Sequence, residues 1–142
     1  MELLMSALGF RDMAGERLGS VAVVDNDPAI LASLRFLLSH LGREILTYET
    51  AKDFLLSLEP KPACLILDQH MPEMTGLELA TILKELAYDI PILLITAAPD
   101  RWIMSRAADL GIQEVLEKPL SEAKLLSFIE SYRWFQTKIE DF

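Results

Sequence analysis

The chain has 142 residues, 51% of them hydrophobic and 25% charged, with a formal net charge of −9 at pH 7 and one cysteine. Such a composition describes a single globular domain with enough chain for a full core, and it excludes a disordered segment. No run approaches the roughly 18 apolar residues that cross a bilayer, and a net acidic chain lacks the basic stripe needed to grip nucleic acid. The acidic excess serves either as a solubilising surface or, in part, as a cation site.

Residues 1–19 read as an N-terminal extension. Met1, Leu4, Met5 and Leu8 fall on one helical face. The apolar stretch from Leu3 to Leu8 is short, follows Glu2 and has no basic residues before it, so no signal peptide is expected. Residues 20–133 carry the regular patterns. A first strand, Val21-Ala22-Val23-Val24, gives way to Asp25-Asn26-Asp27-Pro28. Asp27 is the expected N-cap of the first helix and Pro28 its first residue, the position proline favours. Ile30, Leu34, Leu37, Leu38 and Leu41 recur at helical spacing, Gly42 ends the helix, and His40 complements its dipole.

A second strand is expected near 44–48. Thr50 with Asp53 then opens a short helix in the manner of a capping box, ending before Pro60. The third strand, 63–67, is apolar and delivers Asp68 where it emerges. Its Cys64 has no partner for an internal disulfide and reads as a buried small hydrophobe. The third helix is predicted over 76–87. A fourth strand, Pro91-Ile92-Leu93-Leu94-Ile95, ends in Thr96-Ala97, and the next helix runs from about 99 to 110, closed by Gly111. The fifth strand, Glu114-Val115-Leu116-Glu117, ends in Lys118-Pro119, and Ser121 caps the last helix. Strand and helix alternate five times, which predicts a parallel sheet with helices on both faces.

Four of these strands end in groups that carry chemistry. Asp25, Asn26, Asp68, Thr96 and Lys118 supply carboxylates, an amide, a hydroxyl and an ammonium. In open α/β sheets ligands bind beyond the carboxyl ends of the strands. Acidic oxygens gathered there suit a hard cation such as Mg²⁺, which takes one or two carboxylates with waters and phosphate oxygens.

The set resembles the response-regulator receiver domain of two-component signalling, most closely the branch that precedes helix-turn-helix output domains. The resemblance rests on the acidic turn at Asp25, the run Asp68-Gln69-His70-Met71-Pro72-Glu73-Met74-Thr75-Gly76-Leu77-Glu78-Leu79, the Thr96-Ala97 pair, and Glu117-Lys118-Pro119. It implies a flavodoxin-like, five-stranded parallel sheet in the order 2-1-3-4-5 with five helices. It also implies a cytoplasmic phosphoprotein that takes a phosphoryl group from a sensor histidine kinase or phosphotransfer protein. Asp68 would be the phosphoacceptor. Mg²⁺ would sit among Asp25, Asn26, Asp68 and the backbone carbonyl of His70. Lys118, Thr96 and Ala97 would receive the phosphoryl oxygens. Catalysis would extend only to the domain's own Mg²⁺-dependent phosphorylation and dephosphorylation. The His70 ring is expected to point to solvent, or alternatively to cover the phosphoryl group.

Two positions depart from the family. Asn26 stands where a second acid is usual, which predicts weaker Mg²⁺ binding. Val115 stands where Tyr or Phe is usual, so the customary movement of an aromatic ring toward the site is not available. A working receiver and a degenerate receiver acting as a phosphorylation-independent interaction module both remain compatible with those changes. Past the sheet, Leu125, Phe128, Tyr132, Phe135, Ile139 and Phe142 alternate by three and four, joined by Trp134. Leu125 and Phe128 are expected against the sheet. Residues 134–142 extend the last helix and predict a partner for the seam: a second copy in a homodimer, the N-terminal segment, or an output domain into which the helix leads.

Overall fold

The computed structural model describes residues 18–133. Runs of β-branched residues and leucine form β1 (Val21–Val24), β2 (Ile45–Tyr48), β3 (Cys64–Asp68), β4 (Ile92–Thr96) and β5 (Glu114–Glu117). Between and after them lie α1 (Pro28–Leu38), α2 (Ala51–Leu55), α3 (Gly76–Glu85), α4 (Arg101–Asp109) and α5 (Glu122–Ser131). All strands pair in parallel, in the order β2-β1-β3-β4-β5, as the family resemblance implied.

Side chains alternate along each strand, so one sequence feeds two cores. Ala22, Val24, Leu65, Leu67 and Leu94 point to the face covered by α2, α3 and α4, where Phe54, Leu79, Leu83 and Ile103 meet them. Val21, Val23, Cys64, Ile66, Leu93 and Ile95 point to the face covered by α1 and α5, against Leu34, Leu38, Leu125, Phe128 and Ile129. The central strands β1, β3 and β4 are buried throughout, which is why they read as continuous apolar runs. Cys64 is enclosed completely, and burial pushes its thiol pKa up to about 12, so it packs as a hydrophobe.

The helix phases and ends differ from expectation in detail. In α1 the buried ridge is Leu31, Leu34 and Leu38, with Leu37 and Leu41 half-buried. Ile30 is exposed because it lies one residue off that ridge. A 3₁₀ turn (Ser39–Leu41) follows, and Gly42 takes the left-handed conformation that stops it. At α2, Thr50 accepts the Asp53 amide, but the reciprocal box is at α3. There Thr75 and Glu78 accept each other's backbone amides. Helix α3 stops at Glu85, short of Ala87. Ala87 has φ 56°, and the bonds from Ala87 N to Lys84 O and Tyr88 N to Leu83 O make a Schellman end on an alanine. Helix α4 starts at Arg101 because Asp100 caps it, accepting from Ile103 N at 2.8 Å.

The amino ends of the strands are tied by a residue whose role the sequence did not signal. Arg43, 3% exposed, donates to Gly19 O (2.8 Å), Ile129 O (2.9 Å) and Tyr132 O (2.7 Å). It thereby fastens the end of α5 to the entry of β1, and Gly19 N adds a bond to Arg133 O. Burial pushes the Arg43 pKa down, yet each of those three carbonyls receives one of its N–H groups. Gly19 is required here, since a Cβ would collide with Ala63.

Leu125 and Phe128 pack on the sheet as expected, and Tyr132 stacks at an angle on Phe128. Phe135, Ile139, Phe142 and Trp134, like Met1, Leu4, Met5 and Leu8, lie outside the described residues. Among the described residues no helix is long and apolar enough to cross a membrane.

Candidate functional site

Strands β1 and β3 are neighbours with Val24 opposite Leu67, so Asp25 and Asp68 leave the sheet side by side. They are 4% and 2% exposed. Asp25 is held from both sides. Its amide donates to Tyr48 O at 3.1 Å, and its Oδ1 accepts the Asp27 amide at 2.9 Å. Asp27 in turn caps α1 through the Ala29 amide, as expected, so the acidic turn and the first helix form one hydrogen-bonded unit. Burial raises the Asp25 carboxyl pKa. The Asp27 amide opposes this, the Asp68 charge adds to it, and Lys118 opposes it again. Asn26, between the two acids of the turn, is exposed.

On the other side of β3, β4 ends in Thr96, whose side chain has no solvent exposure. Its hydroxyl oxygen accepts the Ala98 amide at 3.2 Å. Strand β5 follows with Thr96 opposite Glu117, and Lys118 N donates to Thr96 O at 2.9 Å. The lysine is thus brought across the end of β4 toward β3. Its Nζ stands 3.0 Å from Asp68 Oδ1, with the lysine side chain 36% exposed. The contact is an ion pair, and it engages an Asp68 oxygen that is closed off from solvent. Two buried carboxylates therefore face one ammonium, an arrangement that leaves a net negative charge at the strand ends.

The loop after Asp68 is anchored more firmly than its sequence suggests. Gln69 is buried. Its amide donates to Ile95 O, its carbonyl accepts Gly76 N, and its side-chain Oε1 accepts Leu77 N at 2.9 Å. Helix α3 consequently begins against the residue following Asp68. Only glycine permits that approach, because a Cβ at position 76 would lie 2.6 Å from Asp68 O and 2.9 Å from Leu94 Cδ1. The sequence signalled Gly76 as punctuation, whereas its packing role appears only when β3 and α3 are brought together.

His70 requires a correction. The residue is exposed, but its ring turns toward the site and Nε2 comes within 3.1 Å of Thr96 Oγ1. The reason is strand order: β4 lies beside β3, so a residue two past the end of β3 overhangs the end of β4. Ala97, next along, is exposed and adds little bulk at the rim. Val115 is half-buried against the core of the α2–α4 face. It has no polar atom with which to follow Thr96.

Among the described residues no group of three or more His, Cys, Asp or Glu side chains gathers into a metal cluster. The donor set here is two carboxylates beside an amide and backbone carbonyls. Such a set suits a largely hydrated Mg²⁺ rather than a tetrahedral nitrogen and sulfur site.

A doubly wound sheet of this order, with acids, a threonine and a lysine at its carboxyl edge, defines a flavodoxin-like fold, in which ligands generally bind at the topological switch point. The chain belongs to the response-regulator receiver domain family, which its residues 21–130 match. It is 34% identical to the response regulator protein TodT of Pseudomonas putida, over 87% of this chain and 54% of TodT. It is also 34% identical to the transcriptional regulatory protein FixJ of Bradyrhizobium diazoefficiens, over 80% of this chain and 56% of FixJ. Among solved structures, the response regulator StyR superposes with a TM-score of 0.74 at 40% identity, covering 80% of this chain and 58% of StyR. FixJ-N superposes with a TM-score of 0.72 at 29% identity, covering 79% and 90% respectively. The chain spans about half the length of the curated relatives it matches. It is a receiver domain of a two-component response regulator, a class that is generally not enzymatic in the metabolic sense.

Proposed function

We propose that this receiver takes a phosphoryl group from a phosphohistidine onto Asp68 and signals by changing its protein contacts. The observation that carries the proposal is the buried Asp68 carboxylate, with Lys118 Nζ at 3.0 Å and the buried Asp25 and Thr96 on the neighbouring strand ends. An Asp68 oxygen attacks phosphorus as the P–N bond to the donor imidazole breaks, and that electron pair returns to the ring nitrogen. Lys118 neutralises Asp68 before transfer and a phosphoryl oxygen after it. Thr96 donates its hydroxyl to a second phosphoryl oxygen, and the small Ala97 leaves room beside it. Asp25, Asn26, Asp68 and the His70 carbonyl would hold Mg²⁺, which when bound offsets phosphoryl charge. Asn26 brings an oxygen without a charge, so affinity falls below that of a site with two adjacent acids.

A histidine kinase or phosphotransfer protein is the expected donor, and the cytoplasm the expected compartment. A second copy of the chain is the partner that the seam through Phe135, Ile139 and Phe142 calls for, tested by light scattering before and after truncation at Arg133. The second reading, a phosphorylation-independent interaction module, draws on Asn26 and Val115. Intact-mass spectrometry after treatment with acetyl phosphate and Mg²⁺ separates the two. One phosphoryl adduct, missing in Asp68→Asn, is expected. No adduct at high donor and high Mg²⁺ would leave the interaction module as the better account.

A further inference from the structure

Thr96 is buried completely, so its side chain bonds only within the site. Two partners meet it. The Ala98 amide donates to its oxygen at 3.2 Å, and His70 Nε2 stands 3.1 Å away. A hydroxyl has two lone pairs but a single proton. The Ala98 bond uses a lone pair and leaves that proton to be placed, and the imidazole nitrogen is the acceptor within reach.

We propose that His70 is a positioning residue that latches Thr96: in the resting protein Nε2 accepts the Thr96 hydroxyl proton, and Thr96 must leave the ring to donate to a phosphoryl oxygen on Asp68. The inference rests on the phosphoacceptor reading above. It deepens that reading by giving the His70 ring, and not only its carbonyl, a part in the reaction. The same proton cannot serve both acceptors, so the latch opposes transfer by the worth of one neutral hydrogen bond.

Two further features support it. The loop that carries His70 is fixed on both sides, by the three Gln69 bonds to Ile95, Gly76 and Leu77 and by the buried Met71, so the ring is held over the strand end. Val115 on the neighbouring strand is aliphatic and half-buried, and offers Thr96 no polar group to exchange with. Departure of Thr96 therefore releases His70, an exposed residue at the mouth of the site.

The test compares initial rates of Asp68 labelling by acetyl phosphate and Mg²⁺ in the wild type, His70→Ala, Thr96→Ala and the double variant. Removing the ring keeps the backbone carbonyl and should raise the rate about three- to tenfold, as loss of one competing hydrogen bond predicts. In the Thr96→Ala background the same change should leave the rate within about twofold, because the bond it removes is already gone. A rate unchanged or lowered by His70→Ala, or an acceleration that persists without Thr96, overturns the latch. Long-range proton–nitrogen NMR of His70 provides a readout that is independent of turnover. The resting ring should carry its proton on Nδ1, with Nε2 bare, and should change when Mg²⁺ and beryllofluoride are added. A protonated Nε2 in the resting protein overturns the latch even if Asp68 is labelled normally. Conversely, a bare Nε2 with no labelling of the wild type sinks the phosphoacceptor reading and leaves the resting hydrogen bond standing.

Discussion

Arg43 and Asp68 are buried alike at opposite ends of one sheet, and they are treated in opposite ways. Arg43, at the amino ends of the strands, gives three N–H groups to three backbone carbonyls. Asp68, at the carboxyl ends, lies beside a second acid and is balanced by one lysine that is itself one-third exposed. A buried charge with its partners in place is structural. One held beside a second acid by a single, partly exposed ammonium is open to an incoming cationic or phosphoryl ligand. The difference separates the end of the sheet that holds the domain together from the end proposed to react.

Breaking the satisfied end should have the largest effect. Arg43→Ala strands three buried carbonyls and opens a cavity, and should lower stability by about 3–5 kcal/mol, read as the urea midpoint at unchanged m-value. A loss below about 1 kcal/mol would mean that the three bonds are replaced by water. Next comes Gly76→Ala, which forces a methyl group against Asp68 O. It should cost about 2–3 kcal/mol by overpacking, and slow phosphoryl labelling on the order of tenfold by displacing the nucleophile's turn.

Changes at the open end should be smaller and, in one case, favourable. Asn26→Asp adds charge at the rim and should tighten Mg²⁺ by about 1 kcal/mol, or roughly fivefold, by calorimetric titration. Unchanged affinity would place residue 26 away from the cation. Asp25→Asn should stabilise the metal-free protein by about 1 kcal/mol near pH 7 while lowering its Mg²⁺ affinity, as expected where function keeps a destabilising group. Burial and Asp68 raise the Asp25 pKa above its ordinary 3.8, so the folded state binds the proton more tightly than the unfolded one. The native Asp25 therefore supports stability below about pH 4 and loses that contribution as pH rises through its higher folded value. The gain from asparagine should accordingly fade in acid, which thermal melts across that range will read.

The open end was far more legible in the sequence than the satisfied one. Asp25, Asp68, Thr96 and Lys118 each follow an apolar strand, and a parallel sheet carries such residues to a common edge. Their places at strand ends pointed to that edge, and the family resemblance supplied the strand order that makes them neighbours. Arg43 gave no comparable signal, because its partner Ile129 is 86 residues away and is a backbone carbonyl that any residue would supply. His70 and Thr96, 26 residues apart, meet only because β3 and β4 are adjacent, so the sequence left the ring either facing solvent or covering the site. Gly76 read as a turn residue since the Asp68 carbonyl that excludes a side chain there is invisible before the helix is packed. In α1, periodicity placed Ile30 on the buried ridge, whereas the packed helix buries Leu31 and leaves Ile30 exposed.

The most direct test of Asp68 as the open, reactive carboxylate is to trap what it carries. Borohydride reduces an acyl phosphate to the alcohol, so an aspartyl phosphate becomes homoserine and can be located by peptide mass spectrometry. After incubation with acetyl phosphate and Mg²⁺, conversion at residue 68 alone is expected, and none without the donor. Conversion at Asp25 or Asp27, or at no residue despite saturating donor and cation, would contradict the account.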